Sequence, residues 1–543
     1  MARSPAGSFA QRVHAAASAR RAGLAAVSRG EFLGGLASSL TLTGCAGAGI
    51  ASPFSRIPLV RNRRGESRVV IVGGGAAGIT CAYRLHQAGI ASRIFEANAR
   101  TGGRTWTLRG FFRDGQYAEH GGQLIASSQH HVRRLVGELG LRLVDLNALY
   151  PRNAVDTYFI AGGRYTHDEA AHDYDRYVYG PLNDAAKAAG HSTTFYNHTP
   201  AGVALDRMSV DEWIDRNVQG GAGSRIGTLL RLACVSEYGG DSHVQSALNL
   251  IYLFSGMRHG RLNLSGTGED DKYTIEGGND HLVAQMIERL PEDTVQLETA
   301  LEALARNADG SFTCAFRSNG TRKTIYADVV VLSIPFTVLR LVETKRAGFS
   351  DRKRRAIESL DLGSNAKVHL QFRSAYWFKE RFSGTAYADD VYQDAWDSSI
   401  GEPGRAATLV CFPGGAQGTR YSGAAHGTAS TATAQRYLHS LEPSLPGALD
   451  AFNGLAYQDF WIGDPFTRGA YAYYKTGQFT TLCGEERIAQ GNVHFCGEQT
   501  SIEWQGYING AVESGERAAR EVLHDLGRSR ASFDYGAARL RSG

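Results

Sequence analysis

The sequence lacks the features of a membrane-spanning protein and of a protein stabilised by disulfides or zinc. No apolar run reaches the ~18 residues that are needed to span a bilayer. Seven cysteines are scattered without a C-x-x-C pair, at positions 45, 81, 234, 314, 411, 483 and 496. An odd and unpatterned set argues against a disulfide framework and a structural zinc site, and we predict no metal.

The chain also lacks an excess of charge once its first residues are set apart. Its formal net charge is +4, and residues 1–44 hold five Arg and one Glu, which is also +4. The remainder is therefore near neutral, and the basic balance indicates no nucleic-acid partner. What is present is the composition of a globular protein of 543 residues, 43% hydrophobic and 21% charged, which is long enough for two or more domains.

Residues 1–66 are predicted to be an export signal and a disordered leader. Arg20 and Arg21 precede a weakly apolar stretch, and SRGEFL resembles a twin-arginine export box in which Gly30 replaces the second Arg. The sequence LTGC resembles a bacterial lipobox, which would place a lipid anchor on Cys45. We therefore expect the protein in the cell envelope or outside the cell. The alternative is a chance LTGC in an Ala-rich leader that is no signal, which would leave the protein in the cytoplasm.

The folded part opens on a dinucleotide-binding pattern. Residues 69–72 (VVIV) predict a short buried strand, and Gly73, Gly75 and Gly78 follow as G-x-G-x-x-G. The glycines allow a tight turn, close approach to a pyrophosphate, and packing of the next helix on the strand. The N–H groups at the start of that helix are free to bind phosphates. A second strand ends at Glu96, 18 residues beyond Gly78, where a carboxylate can hold a ribose diol.

The residues after the ribose acid favour FAD over NAD. In ARTGGRTWT, Gly102 and Gly103 let the backbone pass a ligand closely, and Arg104 can reach the pyrophosphate. This Gly-Gly-Arg resembles the flavin-containing amine oxidase family, whose relatives include monoamine oxidases, polyamine oxidases and L-amino-acid oxidases. A nicotinamide-dependent dehydrogenase is disfavoured because it does not call for the C-terminal segment described below.

The resemblance extends from about Arg68 to Leu526 through further segments in family order. They are YAEHGGQLI (117–125), YTIEGGNDHL (273–282), TVQLETALEAL (294–304), ADVVVLSIP (327–335), LGSNAK (362–367), and the C-terminal pair FWIGDPFTRGAYAYYKTG and HFCGEQTSIEWQGYINGAVESG. Segment 294–304 resembles a single strand whose Leu301 would touch the adenine. The resemblance implies an FAD site built from Gly73, Gly75, Ala76, Ala77, Gly78, Glu96, Ala97, Gly103, Arg104, Gly121, Gly122, Gln123, Leu301, Trp461, Gly497, Glu498, Gln505, Tyr507 and Ile508.

The last helix has features that suit a flavin. It is predicted to begin at Tyr507 or Ile508, and no Asp, Glu, Ser or Thr caps its first turn. Its positive end is therefore free to stabilise the negative charge of a reduced flavin ring. Its apolar positions are nearly all small, so we expect another element to approach it closely. Ala470 stands where covalent members carry the flavin-linked Cys, and Cys496 lies in the wrong motif, so FAD is expected to bind without a covalent link.

The pattern implies an α/β protein in which an FAD-binding Rossmann-like domain is interleaved with an α+β substrate-binding domain, as in amine oxidases. The FAD domain would comprise residues 67–145, 268–345 and 464–527, and the substrate domain residues 146–267 and 346–463. Residues 528–543 are predicted to be a disordered tail. SVDEWIDRNV and RIGTLLRLACVSEY predict helices, whereas KVHLQF and ATLVCF predict strands beside the substrate cavity.

Four residues are predicted to be catalytic: Lys367, Tyr471, Tyr507 and Trp461. Lys367 matches the family lysine that holds a water against flavin N5 and assists reoxidation by dioxygen. Tyr471 and Tyr507 match the two aromatic walls that flank the amine, which would guide its neutral nitrogen and exclude water. Trp461 and Trp504 are expected to pack around the flavin, with plain core packing as the alternative.

The substrate is predicted from what the chain lacks. Amino-acid oxidases of the family place an Arg for the substrate carboxylate where this chain has Ile125, which favours amines over amino acids. Arg133 and Arg134 follow, but adjacent helical residues point in different directions. Glu237, Asp241 and His243 are candidates for binding the second charge of a diamine.

The resulting hypothesis is an FAD-dependent oxidase. A primary amine would give two electrons to the flavin, the imine would hydrolyse to an aldehyde and ammonia, and dioxygen would be reduced to hydrogen peroxide. An L-amino-acid oxidase, a dehydrogenase or desaturase with another electron acceptor, and a non-catalytic protein that retains FAD are the alternatives. The oligomeric state stays open, and a homodimer is one arrangement that the sequence allows.

Overall fold

The structure, a computed structural model, describes residues 68–190, 192–259, 262–266 and 270–528. The predicted leader 1–66, with Cys45, lies outside these residues, as does the predicted tail 528–543 beyond its first residue. Export and lipidation of Cys45 therefore stay predictions. In these ranges no helix combines the length and the apolar character that crossing a bilayer requires.

The described ranges contain twenty strands and fourteen α-helices. The strands are β1 (Val69–Val72), β2 (Ser92–Phe95), β3 (Thr107–Leu108), β4 (Ala118–Glu119), β5 (Leu143–Asp145), β6 (Val155–Ile160), β7 (Gly163–Tyr165), β8 (Tyr273–Ile275), β9 (Val295–Gln296), β10 (Thr299–Arg306), β11 (Phe312–Ser318), β12 (Thr321–Ala327), β13 (Val329–Leu332), β14 (Ala366–Phe372), β15 (Phe382–Ala388), β16 (Asp394–Asp397), β17 (Ala407–Cys411), β18 (His426–Thr428), β19 (Phe452–Phe460) and β20 (Val493–Phe495). The helices are α1 (Ala76–Gln87), α2 (His130–Glu138), α3 (His167–Asp173), α4 (Tyr179–Ala189), α5 (Pro200–Asp206), α6 (Val210–Asn217), α7 (Arg225–Tyr238), α8 (Ala247–Phe254), α9 (His281–Ile287), α10 (Phe336–Leu339), α11 (Asp351–Ser359), α12 (Thr431–Leu441), α13 (Ala448–Ala451) and α14 (Ile508–Asp525).

A parallel five-stranded sheet with the order β20-β13-β1-β2-β9 forms the first layer. The central strands β1 and β13 are buried at every position, which suits their continuous runs VVIV and VVVL. The predicted strand at residues 69–72 is confirmed. Because the strands are parallel, their carboxyl ends open at one edge, which is where the glycine loop after β1 lies.

Helices α1 and α14 pack against each other. A Cβ built on Gly515 of α14 would lie 2.4 Å from the carbonyl oxygen of Ala77 in α1. The small residues of α14 therefore permit the close approach that the sequence predicted. The contact joins the start of α1 to Gly515, about two turns into α14.

The predicted single strand at 294–304 is wrong. It divides into β9, which is an edge of the five-stranded sheet, and β10, which belongs to a separate antiparallel sheet with the order β10-β11-β12. The break falls at Leu297 and Glu298, and Glu298 has a positive φ of 50°. A single left-handed residue thus redirects the chain from one sheet to the next.

A second, eight-stranded sheet has the order β18-β19-β14-β17-β16-β15-β6-β7. The predicted strands KVHLQF and ATLVCF are confirmed as β14 and β17, and they pair antiparallel. The predicted helices are confirmed as α6, capped by Ser209, and α7, capped by Ser224 and ended by the left-handed Gly239.

The two large sheets divide the chain as the domain prediction does. Every strand of the five-stranded sheet lies in 67–145, 268–345 or 464–527, and every strand of the eight-stranded sheet lies in 146–267 or 346–463. The boundaries of the domains themselves stay a prediction. All six cysteines in the described ranges are buried and form no disulfide.

Candidate active site

A cavity of ≈ 540 Å³ lies between the elements of the two large sheets. Its wall includes the loop after β1, the first residues of α1 and α14, and residues of β10, β14 and β16. Seventeen of the nineteen predicted cofactor residues lie on this wall; the exceptions are Gly78 and Gln505. Long-range folding thus gathers one site from segments that are more than four hundred residues apart.

The glycine loop is shaped by close backbone contacts. Gly73 has a φ of 103°, and a Cβ there would lie 2.8 Å from the carbonyl oxygen of Ser333. A Cβ on Gly78 would lie 2.1 Å from the carbonyl oxygen of Gly73, so Gly78 seats α1 against the loop instead of forming the wall. Gly75 is the N-cap of α1 and offers no side-chain cap, which leaves the first N–H groups available for an anion. The loop therefore fits a pyrophosphate.

Glu96 follows β2 at the edge of the cavity. Its Oε2 accepts a hydrogen bond of 2.6 Å from the N–H of Gly74, and its Oε1 accepts one of 2.7 Å from Asn98. Burial raises the pKa of Glu96, and the backbone hydrogen bonds oppose this shift. The carboxylate ties β2 to the glycine loop, and Glu96 also lies on the cavity wall.

Arg104 connects the early and late parts of the chain. Its Nη1 lies 2.9 Å from Oε1 of Glu498, whose Oε2 accepts from the N–H of Gly506 at 2.8 Å. Arg104 on the wall is therefore partly neutralised by Glu498. The second wall arginine, Arg100, was not predicted; its guanidinium lies over the ring of Trp106, 3.8 Å from the centroid.

Helix α14 begins at Ile508 with Tyr507 as N-cap, as predicted, and no side chain caps it. No acidic residue lies in its first turn. The positive end of the helix dipole therefore lies at the cavity wall, and no carboxylate of that turn neutralises it. Gln505 instead donates to the hydroxyl of Tyr474 at 2.9 Å. Trp504 is buried beside Tyr507 and is not among the described residues that line the wall, a position that suits the alternative of plain core packing.

Lys367 is buried on the cavity wall at 3% exposure. Its Nζ donates to the carbonyl oxygen of Glu119 at 3.0 Å and to Oε1 of Gln123 at 3.1 Å. Burial lowers the pKa of Lys367, while the carboxylates of Glu119 and Asp459 oppose the shift. The polar residues of β14 are therefore turned towards the protein interior, and none of the strand is exposed to solvent.

Both predicted tyrosines lie on the same wall. The hydroxyl of Tyr471 donates to the carbonyl oxygen of Ser236 at 3.0 Å, and that of Tyr507 donates to Oε1 of Glu237. Both rings are thereby anchored from the side of α7. Trp461 donates through Nε1 to the carbonyl oxygen of His120 at 3.1 Å and also lines the wall. Ala470 is a wall residue as well, and it offers no thiol for a covalent flavin link.

Ile125, the residue used to predict the substrate, does not lie on the cavity wall. Ile125 is 0% exposed and belongs to the hydrophobic core, so it does not meet the cavity. Its neighbour Leu124 is the wall residue, because adjacent residues in extended chain point to opposite sides. The position on the wall is apolar all the same. Arg133 and Arg134 bind the carbonyl oxygen of Ser127 and the carboxylate of Glu516, away from the cavity.

Of the three proposed diamine-binding residues, only Glu237 lies on the wall; Asp241 and His243 are not among the described residues that line it. Sequence reasoning missed three other acids on this wall: Asp271, Asp394 and Asp397. Asp271 comes from the loop before β8, and Asp394 and Asp397 come from β16, more than one hundred residues further along the chain. No local pattern marks them, since only the packing of β16 against α7 and the 271 loop brings them together.

A histidine cluster surrounds Asp459, the residue that pairs with Lys367 across β14 and β19. Nδ1 of His120 and Nδ1 of His426 each lie 2.7 Å from Oδ1 of Asp459, and Nε2 of His369 lies 3.6 Å from Oδ2. His120, His426 and Asp459 are close enough to hold a metal ion. Their separations are those of hydrogen bonds, and the hydrogen bonds to Asp459 and Asp464 raise the pKa of His426 to about 9 against its burial. A protonated imidazole is a poor metal ligand, so the arrangement favours an ion pair.

The glycine loop, the uncapped starts of α1 and α14 and the shared cavity are the features of a dinucleotide-binding protein. The family model of flavin containing amine oxidoreductase matches residues 76–523. The chain is 24% identical to flavin-containing amine oxidase A of Sus scrofa over 473 residues, 85% of this chain and 85% of the relative. It is 25% identical to flavin-containing amine oxidase B of Homo sapiens over 487 residues, 85% of this chain and 86% of the relative.

Solved structures show the same fold. Cyclohexylamine oxidase from Brevibacterium oxydans IH-35A gives a TM-score of 0.73 at 21% identity, over 85% of this chain and 100% of that one. Wild-type putrescine oxidase bound to putrescine gives 0.70 at 24% identity, over 84% and 99%. The chain belongs to the flavin containing amine oxidoreductase family, and its predicted α/β fold of the amine oxidase type is confirmed.

Proposed function

We propose that the protein is an oxidase that uses non-covalently bound FAD to convert a primary amine to an imine, with dioxygen as electron acceptor. The imine would hydrolyse to an aldehyde and ammonia, and hydrogen peroxide would be the other product. One observation carries the proposal: a single cavity joins the dinucleotide loop, the uncapped start of α14, Lys367 and two anchored tyrosines. The bound flavin would supply the two-electron redox chemistry, and the residues of the chain would position both reactants.

The cofactor would be held mainly by backbone groups. The free N–H groups at the start of α1 suit a pyrophosphate, and Glu96 at the end of β2 suits a ribose. The uncapped N-terminus of α14 would stabilise negative charge that develops on a reduced ring. Ala470 on the wall supports non-covalent binding.

Lys367 would hold a water molecule at the reacting face of the cofactor. Two of its three ammonium protons are already donated to Glu119 and Gln123, which leaves one donor for the cavity. Fixing the head group in this way orients that donor. This arrangement supports a role in the reaction with dioxygen.

Tyr471 and Tyr507 would define the approach of the substrate nitrogen. Their hydroxyls are engaged by Ser236 and Glu237, so their rings are held in position and present aromatic surface to the cavity. Such a passage favours a neutral amine over a hydrated ammonium ion and excludes water from its route.

The wall favours an amine over an α-amino acid. A substrate carboxylate needs a basic partner once it is desolvated, and neither Ile125, the position compared with the arginine of amino-acid oxidases, nor the wall residue Leu124 beside it is basic. Asp271, Asp394 and Asp397, which also line the cavity, would repel a carboxylate. The amino-acid oxidase alternative is therefore not favoured.

The test is an anaerobic screen of amines, polyamines and L-amino acids against the purified holoprotein, followed by flavin absorbance. We expect amines to bleach the flavin, air to restore its colour with release of hydrogen peroxide, and acid denaturation to release free FAD. Bleaching without peroxide in air would instead support a dehydrogenase with another acceptor. A protein that neither contains nor takes up flavin would overturn the proposal.

A further inference from the structure

Lys367 is held by a single short segment of the chain. The sequence contains eight lysines, and only Lys353 and Lys367 are buried in the described ranges. The Nζ of Lys367 donates to the carbonyl oxygen of Glu119 at 3.0 Å and to Oε1 of Gln123 at 3.1 Å. We call residues 119–123 the acceptor segment. Because a lysine side chain is flexible, the position of its head group depends on how firmly these acceptors are fixed.

Asn279, in the turn before α9, fixes the backbone of the acceptor segment. It is 0% exposed, and its Nδ2 donates to the carbonyl oxygens of Gly122 at 3.0 Å and Gln123 at 2.8 Å. Its N–H donates to Oε1 of Glu119 at 2.7 Å. One residue thus holds both of the residues that accept from Lys367. Asn279 is not among the described residues that line the cavity, so it acts on Lys367 only through the acceptor segment.

Trp396, in β16, fixes the side chain of Gln123. Its Nε1 donates at 3.3 Å to Oε1 of Gln123, the same oxygen that accepts from Lys367. Two donors on one oxygen determine the orientation of the amide, because its NH2 group in that place would face two other donors. The Nζ of Lys367 also lies 5.6 Å from the centroid of the Trp396 ring, a distance at which a cation and an indole attract each other.

The strand register places Lys367 and Trp396 on one face of the eight-stranded sheet. Val368 of β14 pairs with Cys411 of β17, and Cys411 pairs with Ala395 of β16. Because side chains alternate along a strand, Lys367 and Trp396, which adjoin this row, both point to the other face. The eight-stranded sheet therefore supplies the lysine and the indole, and the acceptor segment supplies the amide oxygen that they share.

We propose that Gln123 is a positioning residue for Lys367, that Trp396 fixes its amide, and that this arrangement sets the rate of the reaction with dioxygen. The inference rests on the proposed oxidase and assigns residues to its second half-reaction. The electrons and protons that reduce dioxygen to hydrogen peroxide come from the amine through the cofactor, and Gln123 only orients a donor. With two of its protons directed to the acceptor segment, the Lys367 ammonium keeps the third for the cavity. Without the amide the head group rotates, and that donor is correctly placed for less of the time.

The rate of reoxidation can be measured without an amine. Holoprotein whose flavin is reduced with dithionite under anaerobic conditions is mixed with buffer that contains dioxygen, and stopped-flow absorbance follows the return of the oxidised flavin. We expect Gln123→Met, which keeps the volume but loses the amide acceptor, to slow this step about tenfold. Trp396→Phe, which keeps a ring but loses the N–H donor, should slow it about threefold. Gln219→Met, at an exposed position outside the cavity, is the matched control and should leave the rate unchanged.

A second measurement reports on the lysine itself. Holoprotein labelled with 13C at lysine Cε gives few NMR signals, and the signal of Lys367 is the one that is missing in Lys367→Met. A head group held in one rotamer shows separate shifts for its two Hε protons, whereas rotation averages them. We expect separate shifts in the wild-type protein and in Gln219→Met, and averaged shifts in Gln123→Met. Lys353, which donates to two other carbonyl oxygens, should keep its separate shifts in every variant.

The two measurements together decide the inference. Averaged Hε shifts of Lys367 and slower reoxidation in Gln123→Met support it, and Trp396→Phe gives the same comparison if Gln123→Met does not retain its flavin. An unchanged separation of the shifts, or an unchanged rate of reoxidation, overturns the inference and leaves the proposed amine oxidation intact. If amines fail to reduce the flavin, the proposed function fails, and the same two measurements still decide whether Gln123 positions Lys367.

Discussion

Asp459, which pairs with Lys367 across β14 and β19, and the carboxyl groups of Asp271, Asp394 and Asp397 on the cavity wall lie in opposite electrostatic surroundings. Asp459 accepts hydrogen bonds from His120 and His426, and its pKa lies well below the ordinary value although burial alone would raise it. Asp271, Asp394 and Asp397 line the cavity and form no ion pair with a described Lys, Arg or His, and burial raises their pKa values. The same residue type thus has pKa shifts of opposite direction in the two places.

The difference separates structural charges from functional ones. A buried charge that is fully paired loses much when one partner is removed, because the other charge is left uncompensated. A buried carboxyl group that faces a cavity without a partner lowers the stability of the empty protein and gains its partner only on binding. We therefore expect substitutions at the two places to have opposite effects on stability.

The largest effect is expected from Asp459→Asn. The change removes the counterion of His426 and leaves a buried imidazole donor unmatched, which should lower the free energy of unfolding by about 3–5 kcal/mol. Urea unfolding of the holoprotein at pH 7 measures the loss. The exposed Asp450→Asn serves as control. A loss below about 1 kcal/mol would mean that Asp459 is not a structural charge.

Stability should fall with rising pH because of His426. Its folded-state pKa is raised to about 9, so its stabilisation is complete below the unfolded value of about 6.5 and is lost as the pH rises through 9. The expected loss is roughly 3 kcal/mol between pH 6.5 and 10. His426→Gln should remove this part of the slope. His494, whose pKa is also raised to about 9, stays in both proteins, so an unchanged slope in the variant would contradict the assignment.

Lys367→Met should slow the reoxidation of the reduced flavin by dioxygen about 100-fold, because the head group that orients a water in the cavity is lost. Reduction by the amine under anaerobic conditions should change far less. Stopped-flow absorbance separates the two half-reactions. Lys379→Met, an exposed position outside the cavity, provides the control. Equal slowing of both half-reactions would point to a general disturbance of the site.

The smallest effect, and the one opposite in sign, is expected from Asp394→Asn. Because the folded-state pKa of Asp394 is raised to about 7, its contribution to stability is lost as the pH rises from about 4 to 7. The variant without substrate should therefore gain about 1–2 kcal/mol of unfolding free energy at pH 8, and less at pH 5. Urea unfolding at both pH values gives the comparison. A destabilised variant at pH 8 would show that the two groups of carboxylates do not differ in this way.

The sequence predicted the parts of the site that local chemistry specifies. The strand at 69–72, the glycine loop and the start of α14 at Ile508 each depend on residues that are neighbours in the chain. The exceptions are small displacements: Leu124 in place of Ile125 on the wall, and Gln505 turned aside. In an extended chain, a shift of one residue moves a side chain from the cavity wall to the core. The hydrophobic pattern of the sequence does not determine which of the two neighbours lies on the wall.

By itself, then, the sequence determined the fold class, the dinucleotide loop and the uncapped last helix, because glycine conformation, apolar periodicity and helix ends are local properties of the chain. Only the tertiary structure decided that Asp271, Asp394 and Asp397 share one wall while Asp459 is enclosed by histidines. The ionisation of a carboxyl group depends on how far it is buried and which charges lie within a few ångströms, and those neighbours come from distant parts of the chain.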